Sequence, residues 1–251
     1  MRIYNKILAF ILLLSMVIMI GCTSSESLEE PKHYETDVYI KHYAYSLVYN
    51  EQTEQANWVA YNLESKELQK NFKRKNNFRP DTMVVTQTAN NADYYKSGYD
   101  RGHLAPAADM TWNERAMSES FLYSNMSPQK PSFNRGIWKR LESKVRKIAV
   151  KYDNVYVCVG PIFGDSIITI GSNKVAIPSH YYKALLVYND TLQQSIAFIM
   201  PNEKSSEPIS NYAISVDSLE QILHLDLFHS LPNSKEKIIE SKFDLKYWEL
   251  K

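Results

Sequence analysis

The apolar and polar positions divide the chain into two unlike parts. Arg2 and Lys6 precede residues 7–20, an apolar run broken only by Ser15. A charged start followed by a short apolar run is the make-up of an export signal. The run falls short of the ~20 apolar residues that a membrane-crossing helix needs. Farther on, residues 45–49 and 58–63 alternate apolar with polar around a polar stretch at 50–57, which predicts an antiparallel pair. Further strands are expected at 155–159, 167–170, 184–188 and 195–200. Thr111-Trp112-Asn113-Glu114 reads as a capping box opening a helix to about residue 123. Residues 94–109 read as loop with extended pieces. Residues 125–133, which hold Pro128 and Pro131, also read as loop. Asn134 then opens the clearest helix of the chain, to about Val150, and another is expected over 217–225. No repeat or internal linker interrupts this order, so the pattern predicts one α+β domain over residues 41–251.

Composition narrows the class. Hydrophobic residues make up 44% and charged residues 23%, ordinary values that exclude disorder, collagen and coiled coil. Eighteen Tyr against 7 Gly suits a strand-rich chain. The net charge of +1 shows no global basic excess, so a nucleic-acid partner has to be argued from local features. The apolar run ends in Gly21-Cys22-Thr23-Ser24-Ser25, which resembles a bacterial lipoprotein signal. Residues 1–21 are therefore expected to be a signal peptide, with a lipid anchor at Cys22 tying the exported protein to the cell envelope. Ile20 and Met19 stand where such signals usually carry a small residue and Leu. Residues 22–40, which start Ser/Glu-rich, read as a tether. The other cysteine, Cys158, lies in Val155-Tyr156-Val157-Cys158-Val159 and is expected to be a buried strand residue without a partner.

The helix from Asn134 carries two stripes. Ile137, Leu141, Val145 and Ile148 form a core-facing stripe. Asn134, Trp138, Glu142 and Arg146 follow each other at steps of four, and such a step drifts only about 40° around the helix. An amide, a carboxylate and a guanidinium thus share the edge of the buried face. A surface Glu142–Arg146 ion pair is the plain alternative.

The densest chemistry lies in Tyr99-Asp100-Arg101-Gly102-His103-Leu104-Ala105-Pro106. An acid, a guanidinium and an imidazole fall within four residues, and an imidazole accepts a proton near neutral pH. Asp100 is placed to orient the ring or to hold Arg101. The other five histidines have no such neighbours and read as structural.

These residues resemble the DNA/RNA non-specific endonucleases with a ββα-metal site. The likeness extends past Asp100-Arg101-Gly102-His103 to Asn125-Met126-Ser127-Pro128-Gln129, Phe133-Asn134-Arg135-Gly136-Ile137-Trp138 and Leu141-Glu142. It continues through Val157–Phe163, Ile177–Lys183 and Ala197–Asn202. The resemblance implies a central antiparallel sheet flanked by helices, with a ββα-metal motif. It implies hydrolysis of DNA and RNA to 5′-phosphate products, with His103 as general base and Asn134 as direct ligand of one Mg²⁺, Mn²⁺ being an alternative ion. Glu142 would hold the metal-bound water. Arg101 and Arg146 would lie near the scissile phosphate, Asn125 would position His103 or the phosphate, and Asp100 would brace the loop. Arg74 would be the upstream phosphate contact, with Lys75 and Arg79 as competitors. Three other readings stay open on sequence alone: a non-catalytic nucleic-acid binder, a structural envelope lipoprotein and a phosphodiesterase for small nucleotides.

Overall fold

The computed structural model describes residues 27–250. The export signal and Cys22 lie outside the described residues. Among the described residues, eleven strands occur in the order β1 (Val38–Lys41), β2 (Ser46–Asn50), β3 (Gln55–Glu64), β4 (Asp100–His103), β5 (Met126–Gln129), β6 (Asn154–Ile162), β7 (Thr169–Ile170), β8 (Val175–Ala176), β9 (His180–Tyr188), β10 (Gln193–Pro201) and β11 (Ala213–Ile214). The helices are α1 (Asn91–Tyr94), α2 (Glu114–Glu119), α3 (Lys139–Tyr152), α4 (Val216–Leu223) and α5 (Asn233–Glu240).

Seven strands form one antiparallel sheet in the order β1-β2-β3-β6-β9-β10-β11. Both faces are covered. Side chains alternate across each strand, so Val59, Tyr61, Val157, Leu185 and Phe198 point to one face. Trp58, Ala60, Cys158, Ala184 and Ala197 point to the other. The first face packs on Leu141, Val145 and Ile148 of α3 and on Ile137 just before it, the stripe read from the sequence. The second packs on Val216 and Leu219 of α4 and Ile239 of α5. Cys158 is buried and free, as expected.

Strands β3 and β6 are neighbours in the sheet, yet the chain between them runs from residue 65 to 153. This excursion carries all eight candidate site residues. Within it, β4 pairs antiparallel with β5, matching Arg101 to Pro128 and His103 to Met126. The helix follows directly, so the order is ββα. Residues 125–133 are thus not the loop expected. Pro128 is tolerated because β4 and β5 form a two-stranded ribbon whose outer edges need no further partner.

Other boundaries also move. The helix begins at Pro131, the favoured first-turn position, rather than at Asn134. The helix is kinked at Gly136 (φ −101°, ψ −112°), within the turn Asn134–Trp138 that leads into α3. Helix α2 is capped by Asn113, which accepts from the Arg115 and Ala116 amides, not by Thr111. It ends at Glu119 because Phe121 turns into the core. The tether is shorter than residues 22–40. Leu28 packs on the sheet, Lys32 N donates to Asp226 O, and His33 stacks on Tyr39 with centroids 4.4 Å apart. Strand β1, already at Val38, closes the sheet edge.

Candidate active site

One cleft of about 380 Å³ is lined by Arg74, Arg101, His103, Asn134, Glu142 and Arg146 among others. Strand, helix and loop each contribute. Period-two alternation in β4 puts Arg101 and His103 on one face of the ribbon and Asp100 on the other. Phe78 backs that face: the Arg101 guanidinium stacks 3.9 Å from its ring centroid, and the His103 ring meets its edge at 5.9 Å. Phe121 meets the imidazole edge-on at 4.9 Å. Arg101 is further held by Nη1 donating to Asn91 Oδ1 at 2.6 Å.

His103 is 9% exposed, and its Nε2 is buried without a hydrogen-bond partner. Burial, with the Arg74 and Arg101 charges added, pushes its pKa down to about 3. The ring is therefore neutral at ordinary pH, the state a general base requires. An unmet buried nitrogen costs about 1–3 kcal/mol, a cost relieved when a water or substrate atom reaches it.

Asn134 faces the same cleft. Its Nδ2 donates to Asp100 Oδ2 at 2.9 Å, which fixes the amide and leaves Oδ1 as the free acceptor. Asp100 also receives Nε and Nη2 of Arg135, at 2.9 and 2.6 Å. It therefore neither orients the imidazole nor holds Arg101, as the sequence had suggested. Its partners lie on the helix because alternation points it away from both.

Glu142 is one turn beyond Trp138. Burial pushes its carboxyl up to about 7, against the pull of the Lys183, Arg146 and Arg74 cations. Arg146 does not form the anticipated ion pair with Glu142. Its Nη1 donates to Asp109 Oδ1 at 2.8 Å, and Asp109 is 1% exposed and also accepts from Tyr61 Oη at 3.0 Å. The buried carboxylate is the stronger partner, because an unpaired charge there would be costly.

Asn125 is completely buried. Its Oδ1 accepts from Ala105 N, and its Nδ2 donates to Ala105 O and Ser120 O. A phosphate contact is thereby excluded, and positioning of the segment after His103 remains its part. Of the three upstream basic residues, Arg74 lines the cleft, its guanidinium 4.8 Å over the Phe121 ring. Lys75 is engaged by Glu114 at 2.6 Å, and Arg79 donates to the carbonyls of Asn77 and Ser118.

Three contributors escaped the sequence reading. Asp109 anchors Arg146, Phe78 platforms Arg101, and Lys183 lies 4.9 Å over the Trp138 ring while only 1% exposed. Burial lowers the Lys183 pKa, opposed by Glu142 and Asp109. A lysine inside the apolar run of β9 was the available signal.

The donor set suits a hard divalent cation. It offers a pinned amide oxygen, the Glu142 carboxylate in the same cleft, and a neutral imidazole with one nitrogen unmet.

The sequence profile of DNA/RNA non-specific endonucleases matches residues 27–234. The chain is 37% identical to human mitochondrial endonuclease G over 193 residues, covering 71% of this chain and 65% of that protein. It is 33% identical to the mitochondrial nuclease of Saccharomyces cerevisiae over 215 residues, covering 76% of this chain and 65% of that one. The matched stretch thus spans just under two thirds of both relatives. A crystal structure of an EndoG/EndoGI complex superposes with a TM-score of 0.74 at 32% identity, covering 79% of this chain and 89% of that one.

Proposed function

The chain belongs to the DNA/RNA non-specific endonuclease family, and from that premise we propose that it is a magnesium-dependent endonuclease hydrolysing both DNA and RNA to 5′-phosphate ends. The carrying observation is the neutral, unpartnered His103 in a cleft it shares with the Asp100-pinned Asn134.

His103 Nε2 takes the proton of the attacking water. Asn134 Oδ1 would hold the cation directly, and Glu142 would hold the water around it. When bound, Mg²⁺ supplies positive charge for the crowded phosphoryl oxygens and the leaving 3′ oxygen. Arg101, Arg74 and Arg146, which line the same cleft, meet the non-bridging oxygens. Each is held in place before substrate arrives, by Phe78 and Asn91, by Phe121 and Asn76, and by Asp109. Fixed donors of this kind lower the barrier without reorganising during the reaction. Contacts to phosphate rather than to base edges give little sequence preference. A site that ignores the 2′-hydroxyl accepts both sugars. Export and lipidation at Cys22, supported by the apolar run and Gly21-Cys22, would place this activity at the cell envelope.

The test is digestion of plasmid DNA and of single-stranded RNA with Mg²⁺ or with EDTA, followed by analysis of the ends. Cleavage of both polymers, 5′-phosphate ends and loss of activity in EDTA are expected. A folded protein that cuts neither polymer, or cuts equally in EDTA, would overturn the reading.

A further inference from the structure

On the sheet face opposite the cleft, α4 and α5 bring three carboxylates together. One oxygen each from Asp217, Glu220 and Glu240 lies within 4.8 Å of the other two. Carboxylates do not gather this closely without cost, since like charges repel. The arrangement is nevertheless built in. Leu219 and Val216 seat α4 on the sheet, and Ser195 Oγ donates to Ile239 O at 2.9 Å, tying the end of α5 to β10. Glu220 is oriented by Leu227 N, which donates to its Oε1 at 2.6 Å.

Glu240 supplies the second observation. It is 2% exposed, and its Oε1 is buried with no hydrogen-bond partner among the described residues. No lysine or arginine forms a salt bridge with any of the three carboxylates among the described residues. A buried carboxylate oxygen with neither donor nor counter-ion is what protein interiors exclude unless a ligand completes it. Glu240 also ends α5, where the helix dipole favours positive charge.

The geometry points to a second cation site, formed by Asp217, Glu220 and Glu240, that takes a hard divalent ion of calcium size. Calcium binds oxygen at about 2.4 Å, so the oxygens around it stand up to about 4.8 Å apart, a shell that three carboxylate oxygens all within 4.8 Å of one another can share. Water can complete its flexible shell. Burial, with repulsion from Glu220, Glu236, Asp217 and Asp226, pushes Glu240 up to about 9. An ion in the site would reverse that cost and clamp α4 to α5. This site touches none of the cleft residues, so it is independent of the proposed nuclease activity.

The probe is Ca²⁺ itself, titrated by calorimetry and followed by thermal unfolding. The protein is the full chain carrying Asn134→Ala, which removes the direct ligand of the first site. One bound Ca²⁺ per chain is expected, with the unfolding midpoint rising about 5–10 °C once Ca²⁺ stands ~100-fold above its Kd. Adding Glu240→Gln, or separately Asp217→Asn, should abolish both the heat and the rise, while circular dichroism without Ca²⁺ stays unchanged. In the otherwise wild-type chain, Glu240→Gln should leave cleavage per folded molecule unchanged. Absence of Ca²⁺ binding in the Asn134→Ala chain, or equal binding after either carboxylate change in a folded protein, would overturn the proposal.

Discussion

At the scale of single residues, the site separates groups that touch substrate from groups that place them. Asn125 and Asp100 make the contrast measurable. Asn125→Ala removes three buried hydrogen bonds. It should cost roughly 2–4 kcal/mol of stability, seen as a lower denaturant midpoint, with activity of the remaining folded fraction falling through displacement of His103. Asp100→Ala frees Asn134 and Arg135 on a half-buried surface, so stability should change by under about 1 kcal/mol while apparent Mg²⁺ affinity drops about 10–100-fold. His103 gives a pH signature. Its folded pKa is about 3, against about 6.5 in an unfolded chain. Below about pH 6.5 the unfolded chain binds a proton that the folded chain refuses, so stability falls as pH drops toward 3 and is unaffected above 6.5. His103→Ala removes this dependence. The gap in unfolding midpoint between variant and wild type should therefore move in the variant's favour from pH 8 to pH 5, and an unchanged gap would contradict the burial argument. The residue types were legible in the sequence because a base, an amide and an acid are needed together. Their partners were not. Nothing in Asp100-Arg101-Gly102-His103 says that the acid reaches Asn134 rather than its neighbours, because that choice is made by strand alternation and helix docking.

At the scale of elements, the ribbon and the helix hold the cleft. Gly102 faces Ser127 across the ribbon, and a Cβ there would stand 2.2 Å from the Gln129 side chain. Gly102→Ala should push Gln129 aside, shift His103 against Asn134 and reduce cleavage by about 10–100-fold with only modest loss of stability, because small misplacements of catalytic groups are costly. Activity at the wild-type level would show that the ribbon tolerates more movement than its packing suggests. The long helix was readable from its apolar stripe, and β2, β3, β6, β9 and β10 from alternation or apolar runs. Strands β4 and β5 were hidden for a physical reason. They are four residues each, rich in Gly, Pro and charge, and they exist through pairing with each other rather than through local propensity. The kink at Gly136 was equally hidden, since the sequence spacing matches an ordinary helix.

At the scale of the whole molecule, a net charge of +1 conceals an uneven distribution. The cleft gathers Arg74, Arg101, Arg135, Lys139 and Arg146. The charges of Arg135 and Arg146 are already balanced by Asp100 and Asp109, so Arg74, Arg101 and Lys139 supply the net charge offered to phosphate. Binding of a short DNA duplex should then weaken with salt at a log–log slope of about −3, and Arg74→Ala should bring it to about −2. A slope near zero would place nucleic acid elsewhere. The antiparallel sheet with helices on both faces was foreseeable as α+β, but its closure by β1 and α5 was not, because both are short and weakly patterned.

The most direct test of the account is single-turnover cleavage of plasmid DNA in Mg²⁺ by the wild-type chain and by His103→Ala, with DNA binding measured in parallel. A rate at least about 100-fold lower is expected in the variant, with DNA affinity within a few-fold of wild type. Cleavage by His103→Ala at the wild-type rate would show that the buried imidazole is not the base, and the catalytic reading of the cleft would fall with it.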